Sequence, residues 1–182
     1  MPARVHTALQ RGYGGDMLRL LPLVGALLLP ACRDATPPLP SPPGAAQYWV
    51  QRTDAELSAV LQTTCAQATA ANKPILISFS APWCGDCRQV RALEHQPAMA
   101  AELQRWEEVV VEVGRLDRHV DLLQHFKVSA IARWVAVRPT DCAAPVTAWP
   151  VLKSGTLEPQ TGMFGPRTEA ELVAWLVEAR GT

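Results

Sequence analysis

The spacing of apolar residues predicts an alternating series of helices and strands from about residue 47 onward. Capping boxes at Thr53–Glu56 and Thr168–Glu171 mark the starts of the first and last predicted helices. Apolar residues recur at three- and four-residue intervals after each box, whereas short, consecutive apolar runs between them are typical of buried strands. The predicted order is a helix to residue 71, strand 75–80, helix 84–94, helix 98–106, strand 109–113, helix 117–126, strand 133–137, strand 146–152 and a C-terminal helix.

Two of these strands carry features that predict their places in a sheet. Val109–Val113 is apolar except for Glu112, which predicts a buried central strand. The segment 146–152 contains Pro150, which lacks an amide hydrogen and therefore predicts an edge strand. The early strand–helix–strand order requires parallel crossovers, and the last two strands are expected to form an antiparallel hairpin. We therefore expect an α/β fold with a central mixed sheet of about four to five strands flanked by helices on both faces.

The start of the chain has a different pattern. Residues 18–31 form an apolar run that is too short for a comfortable membrane span and has Arg19 near its start, which is typical of a secretory signal. Residues 1–31 are accordingly predicted as a signal segment, which leaves 47–182 as the folded domain. Met17 is a candidate for the true start, because it would give the signal a compact charged region.

The end of the apolar run resembles the lipobox of bacterial lipoproteins. The run closes with Leu29-Pro30-Ala31-Cys32, and in that family the cysteine is lipidated and becomes the mature N-terminus. An ordinary cleaved signal is the alternative. Residues 32–46 then contain the lipid-attachment cysteine and a proline-rich tether that could reach roughly 40 Å from the membrane.

Composition narrows the class of protein. The chain has 182 residues, with 17 Lys and Arg against 17 Asp and Glu, so it carries no formal net charge. This length suits one domain with extensions, and the absence of a basic excess in the sequence predicts no nucleic-acid partner. We expect a monomer. Five cysteines are ordinary for an exported protein of this size and many for a cytosolic one.

The main candidate for chemistry is a pair of cysteines, Cys84 and Cys87, that follows a predicted strand and opens a predicted helix. A sulfur at a helix start gains thiolate character from the free N–H groups there. The second sulfur lies one turn away, so the pair can close a disulfide and exchange with the disulfide of another protein. A zinc site would need a second ligand pair, and the sequence has no second Cys-x-x-Cys, so no metal or other cofactor is expected.

The segment Ala81-Pro82-Trp83-Cys84-Gly85-Asp86-Cys87, placed after an apolar strand, resembles the active-site segment of the thioredoxin superfamily. The element order is similar to the thioredoxin fold over residues 50–180. Lys73-Pro74 and 94–103 look most like exported thioredoxin-like lipoproteins and the C-terminal domain of periplasmic thiol–disulfide interchange proteins. The resemblance implies a thiol–disulfide oxidoreductase of the reductase or isomerase type. It would act on protein thiols and disulfides and be lipid-anchored in the bacterial cell envelope, facing the periplasm or exterior.

The resemblance also implies roles for individual residues. Cys84 would be the attacking sulfur and Cys87 would resolve the mixed disulfide. Pro82, Trp83 and Gly85 would support the pair, with Trp83 shaping the surface that meets the partner. A core aromatic is the alternative interpretation of Trp83.

Three positions depart from the family's pattern. Ser78 stands where many thioredoxins carry a buried Asp. Asp86 stands where many relatives have Pro. Near the sulfurs its charge would oppose thiolate formation, or it would serve as the local proton acceptor; the alternative is a solvated residue favoured by the helix dipole. Ala132 stands at the position of the family's cis-proline. A non-proline cis bond costs about 2.5–4 kcal/mol, so the Ile131–Ala132 bond is expected to be trans. Pro150 is rejected as a displaced equivalent because it lies too far along the chain from Cys84.

Several alternatives remain open from the sequence. Cys65 lies on the apolar face of the first helix and Cys142 in a long predicted loop, so the two are candidates for a structural disulfide, with a buried unpaired Cys65 as the alternative. The protein could reduce one dedicated client, as in apocytochrome or copper-site maturation. It could also bind Cu(I) through Cys84 and Cys87. The sequence leaves the direction of electron flow open.

Overall fold

The computed structural model describes residues 48–163 and 165–181, so the predicted signal segment, Met17, Cys32 and the tether lie outside the described residues. The observed elements, in chain order, are α1 Asp54–Ala71, β1 Ile75–Ser80, α2 Gly85–Glu94, α3 Pro97–Leu103, β2 Glu107–Glu112, α4 Val120–His125, β3 Arg133–Val137, a 3-10 helix Val146–Ala148, β4 Val151–Thr156 and α5 Glu169–Gly181. Across these described residues, no helix has both the length and the apolar character needed to cross a membrane.

The strands form a mixed sheet in the order β2-β1-β3-β4, with β1 parallel to β2 and antiparallel to β3. The predicted antiparallel hairpin of the last two strands is confirmed. The prediction that Val109–Val113 is central is wrong, because β2 lies at the edge of the described sheet. The segment before α1 covers part of this edge: the Arg52 guanidinium donates to the Val110 carbonyl over 3.3 Å. That contact explains how an apolar strand can occupy an edge.

Alternate side chains of β1 enter two separate cores, as expected for a strand buried on both faces. Ile75, Ile77 and Phe79 pack on the face covered by α1 and α4. Leu76 packs on the opposite face with the two cysteines of the motif, beneath α2, α3 and α5. The prediction of helices on both faces is therefore confirmed, and the redox motif belongs to the second core.

Both capping boxes are present. The Glu56 amide donates to the Thr53 hydroxyl over 3.2 Å, and the Thr53 amide donates to the Glu56 carboxylate over 2.7 Å. Thr168 and Glu171 make the same reciprocal pair at 3.1 and 3.2 Å. Each box satisfies N–H groups that a helix start otherwise leaves unpaired, so these local sequences explain where α1 and α5 begin.

The starts of two elements differ from the predictions by three residues or more. The last strand begins at Val151 rather than Val146, because Pro150 has no amide hydrogen to donate and only its carbonyl joins the ladder, accepting from the Arg138 amide over 3.0 Å. The helix predicted from residue 117 begins at Val120. His119 has a φ of 54°, a left-handed conformation that cannot continue a helix.

Candidate active site

The two cysteines of the motif lie at the start of α2, just after β1 ends. Cys84 is the N-cap of α2, with an extended backbone at φ −77° and ψ 122°, and its Sγ accepts a hydrogen bond from the Cys87 amide over 3.1 Å. The two residues are joined in a disulfide, with their Cα atoms 5.2 Å apart. A sulfur in the cap position accepts hydrogen bonds from free N–H groups and lies at the positive end of the helix dipole. Both interactions would stabilise a thiolate on Cys84 after reduction.

Both cysteines are largely buried. Cys84 is 5% exposed and Cys87 is 2% exposed, and both pack in the cluster that also contains Val90 and Trp134. Cys84 is thus the more accessible of the two, as the predicted attacking role requires. That role itself stays a prediction.

Trp83 is half exposed, at 50%, so the interpretation of this residue as a core aromatic is wrong. Its indole N–H donates to the Gly114 carbonyl over 2.6 Å, which fixes the ring beside the loop after β2. The neighbouring Pro82 is also exposed, and its carbonyl accepts from the Arg88 guanidinium over 2.9 Å. The residues before Cys84 therefore form a fixed surface at the end of β1.

Asp86 is 7% exposed, so the interpretation of this residue as a solvated aspartate is wrong. Its Oδ1 accepts hydrogen bonds from the Gln160 and Thr161 amides at 2.7 and 3.0 Å, and its Oδ2 accepts from the Thr161 hydroxyl at 3.0 Å. Neither of these two partners was predicted from the sequence. No local signal marks them, because they lie 74 and 75 positions further along the chain.

Ala132 is 3% exposed and packs in the same buried cluster as the two cysteines. The prediction of a trans Ile131–Ala132 bond is wrong, because this peptide bond is cis in the structure. The prediction weighed only the cost of the bond itself, whereas tertiary contacts hold the residue: it is buried, and its carbonyl accepts from the Leu157 amide over 2.8 Å. Pro150 lies at the other end of β3, where Val137 pairs with Val151, so it does not replace Ala132 at the site.

A polar cluster lies on the same face of the sheet, around Ser78. Ser78 is 3% exposed, and the Tyr48 hydroxyl beside it donates to the Glu94 carboxylate over 3.1 Å. Arg91 forms an ion pair with Glu94 over 3.0 Å and also stacks over the Tyr48 ring, 4.3 Å from its centroid. Trp49 completes the cluster by donating to the Ser80 hydroxyl over 2.8 Å. This cluster was not predicted from the sequence, since Tyr48 and Trp49 precede the first predicted helix and so belong to no predicted element.

Replacing Glu94 by Gln should make stability depend less steeply on pH. Burial raises the pKa of Glu94 above 4.5, although Arg91 opposes this shift. The folded state then binds more protons than the unfolded state between the two pKa values, so the free energy of unfolding falls as pH rises from about 4.5 through this window. Urea unfolding of the wild type and of Glu94→Gln, repeated at several pH values from about 4.5 upward, gives the free energy of unfolding as a function of pH. Equal slopes of this free energy against pH in the two proteins would contradict the prediction.

Cys65 and Cys142 are joined in a second disulfide, with their Cα atoms 5.6 Å apart. Cys65 is fully buried in the core on the α1 face, whereas the redox pair lies on the other face of the sheet. This bond attaches the long loop between β3 and β4 to α1. Among the residues that the structure describes, no group of three or more His, Cys, Asp or Glu side chains is arranged to hold a metal ion.

Solved structures show similar folds. A disulphide isomerase from Xylella fastidiosa Temecula1 superposes with a TM-score of 0.55 at 20% identity, covering 71% of this chain and 94% of that chain. A thioredoxin from Thermus thermophilus has a TM-score of 0.48 at 20% identity, covering 64% and 80% of the two chains. The oxidised C-terminal domain of DsbD from Neisseria meningitidis has a TM-score of 0.48 at 19% identity, covering 72% and 100%. A comparison with curated proteins found no match.

A disulfide that caps the helix after a central strand, within a mixed sheet covered on both faces, defines a thioredoxin-like α/β domain. The family model described as Thioredoxin matches residues 56–146, which is half of the chain and includes the whole motif. The chain belongs to the thioredoxin family.

Proposed function

We propose that this protein is a thiol–disulfide oxidoreductase that exchanges electrons with protein disulfides through Cys84 and Cys87. The observation that carries the proposal is the position of Cys84. Cys84 is the N-cap of α2, its sulfur accepts a hydrogen bond from the Cys87 amide, and it forms a disulfide with Cys87. Helix-end N–H groups favour the thiolate that attacks a disulfide, and the adjacent second cysteine supplies the group that completes the exchange.

The reductive direction illustrates how the pair would work. The Cys84 thiolate attacks one sulfur of a client disulfide, which forms a mixed disulfide and releases one client thiolate. The Cys87 thiolate then attacks the Cys84 sulfur, which closes the Cys84–Cys87 bond and releases the second client thiolate. Two electrons pass to the client, whose two thiolates take up protons, and the enzyme is left oxidised. The oxidative direction is the same sequence reversed.

The activity is proposed to take place on the export side of a bacterial membrane, with the protein attached through a lipid on Cys32. The apolar run at 18–31 and the lipobox-like Leu29–Cys32 support this placement. The second disulfide, between Cys65 and Cys142, also supports it, because structural disulfides persist in oxidising compartments and are rare in the cytosol.

Turnover of insulin disulfides tests the proposed activity. Dithiothreitol supplies the electrons, and we expect the wild-type protein to accelerate insulin reduction above the dithiothreitol background. A Cys84→Ala/Cys87→Ala variant provides the blank. A wild-type rate equal to that of the blank would refute the proposal.

Replacing Cys32 by Ser should release the protein from the membrane fraction or leave an unprocessed precursor, since a single cysteine would carry the whole lipid attachment. Mass spectrometry of the mature N-terminus and fractionation of cells that produce each variant measure this. The Cys84→Ala/Cys87→Ala variant serves as the matched cysteine control and should stay with the membrane. An unmodified N-terminus beyond residue 32 in the wild type would show a soluble exported protein instead.

A further inference from the structure

We propose that Asp86 is a positioning residue that holds the segment Glu158–Met163 against the redox motif, and that Met163 on this segment selects protein clients with an apolar residue beside their disulfide. This inference rests on the proposed oxidoreductase function and deepens it. Three observations carry it: the contacts of Asp86, the close approach at Gly85, and the apolar surface exposed around the pair.

The contacts of Asp86 attach the segment to the motif itself. Both carboxylate oxygens are used, and the three hydrogen bonds to Gln160 and Thr161 measure 2.7–3.0 Å. Hydrogen bonds to a carboxylate are stronger than those between neutral groups, and burial strengthens them further. Asp86 lies between the two cysteines in sequence, so the segment is held directly against the pair.

The Gln160 side chain also lies close to the motif at Gly85. Its amide end lies where a Cβ on residue 85 would be, so a larger residue there would make this flexible side chain move. Gly85 and Asp86 thus both lie against the segment.

Two exposed apolar side chains are attached to loops that follow the two edge strands of the sheet. Trp83, 50% exposed, is bound through Gly114 to the loop that follows edge strand β2. Met163, 72% exposed, belongs to the segment that follows β4 at the other edge, and its amide donates to the Glu158 carboxylate over 2.9 Å. Cys84, only 5% exposed, follows β1, which lies between these two edge strands. An apolar side chain next to a client's disulfide would be buried against Trp83 and Met163, and methionine adapts well to varied apolar partners.

Two substrates separate client selection from the chemistry of the pair. Insulin has apolar residues around its disulfides, whereas hydroxyethyl disulfide is too small to reach the segment while it reacts with Cys84. The quantity compared is the ratio of kcat/KM for insulin to kcat/KM for hydroxyethyl disulfide. We expect Met163→Ser to lower this ratio about fivefold, mainly through KM, as loss of a modest apolar contact predicts. Val177→Ser, which removes an apolar side chain of 45% exposure on α5, is the matched control and should leave the ratio unchanged.

Substitutions of Asp86 test its positioning role. Asp86→Ala removes every acceptor and should lower the same ratio as much as Met163→Ser does. Asp86→Asn removes the charge but keeps an oxygen that can accept the Gln160 and Thr161 amides, so its ratio should fall less than that of Asp86→Ala. Thr161→Val removes one hydrogen bond without changing the motif and should give an intermediate ratio. Thermal unfolding of each variant identifies any that fail to fold, and Thr161→Val then carries the test.

The outcomes are distinguishable. A wild-type ratio in Met163→Ser would overturn the selection of clients by the segment. A wild-type ratio in Asp86→Ala would overturn the positioning role, because client selection would then not depend on the contacts of Asp86. Absence of wild-type turnover with both substrates would refute the proposed oxidoreductase function itself.

Discussion

A Cys84→Ser variant is expected to lose disulfide exchange down to the uncatalysed rate, whereas Cys87→Ser is expected to accumulate mixed disulfides with client proteins. Cys84 caps α2 and is the slightly more exposed of the two cysteine residues, so it is the one expected to meet a client disulfide. Serine cannot attack a disulfide in its place. With Cys87 replaced, the first step still occurs, but no second thiolate remains to release the client.

Mass spectrometry and non-reducing electrophoresis measure both outcomes. The Cys87→Ser protein is reduced, mixed with oxidised insulin and quenched with acid, and a covalent adduct at Cys84 is expected. The same treatment of Cys84→Ser should give no adduct, because Cys87 is 2% exposed. Full turnover by Cys87→Ser, or preferential alkylation of Cys87 in the reduced wild type, would reverse the assigned roles.

Removing the second disulfide should lower the free energy of unfolding by roughly 4 kcal/mol, because it closes a long loop and thereby limits the unfolded chain. Cys65 and Cys142 are 77 positions apart, and the bond attaches the β3–β4 loop to α1. A loss of this size is a large share of the stability of an ordinary domain. The redox pair spans only 3 positions, so its reduction should change stability through loop closure far less.

Chemical denaturation of the wild type and of Cys65→Ala/Cys142→Ala measures this difference. The free energy of unfolding of the variant should also fall more steeply with denaturant concentration, since its unfolded state exposes more surface. Adding dithiothreitol should bring the wild type close to the variant and change the variant little. Equal midpoints for the two oxidised proteins would mean that the disulfide does not support the fold.

The strand before the cysteine pair, the helix after it and the helix caps are all encoded by short stretches of sequence. The run Ile75–Ser80 forms the predicted buried strand, and the sequence that begins at Cys84 starts the predicted helix. The boxes at Thr53 and Thr168 cap the first and last helices as predicted. Each of these features depends on residues a few positions apart, and their interactions form as soon as the local backbone does.

Two of the wrong predictions involve contacts between distant residues. The edge position of β2 depends on which strands pair, and the segment that carries Arg52 covers it. The state of the Ile131–Ala132 bond was judged from its local cost, whereas the residue is held within a core assembled from several elements.

By itself, the sequence determined the redox pair, the strand that precedes it and the helix that Cys84 caps, because strand periodicity and helix capping act over a few residues. Only the tertiary structure decided what surrounds the pair. Asp86 has the same local sequence whether it is solvated or buried, and its partners Gln160 and Thr161 lie 74 and 75 positions away. They reach it only because the sheet places the end of β4 near the end of β1, and packing across the whole domain sets that distance.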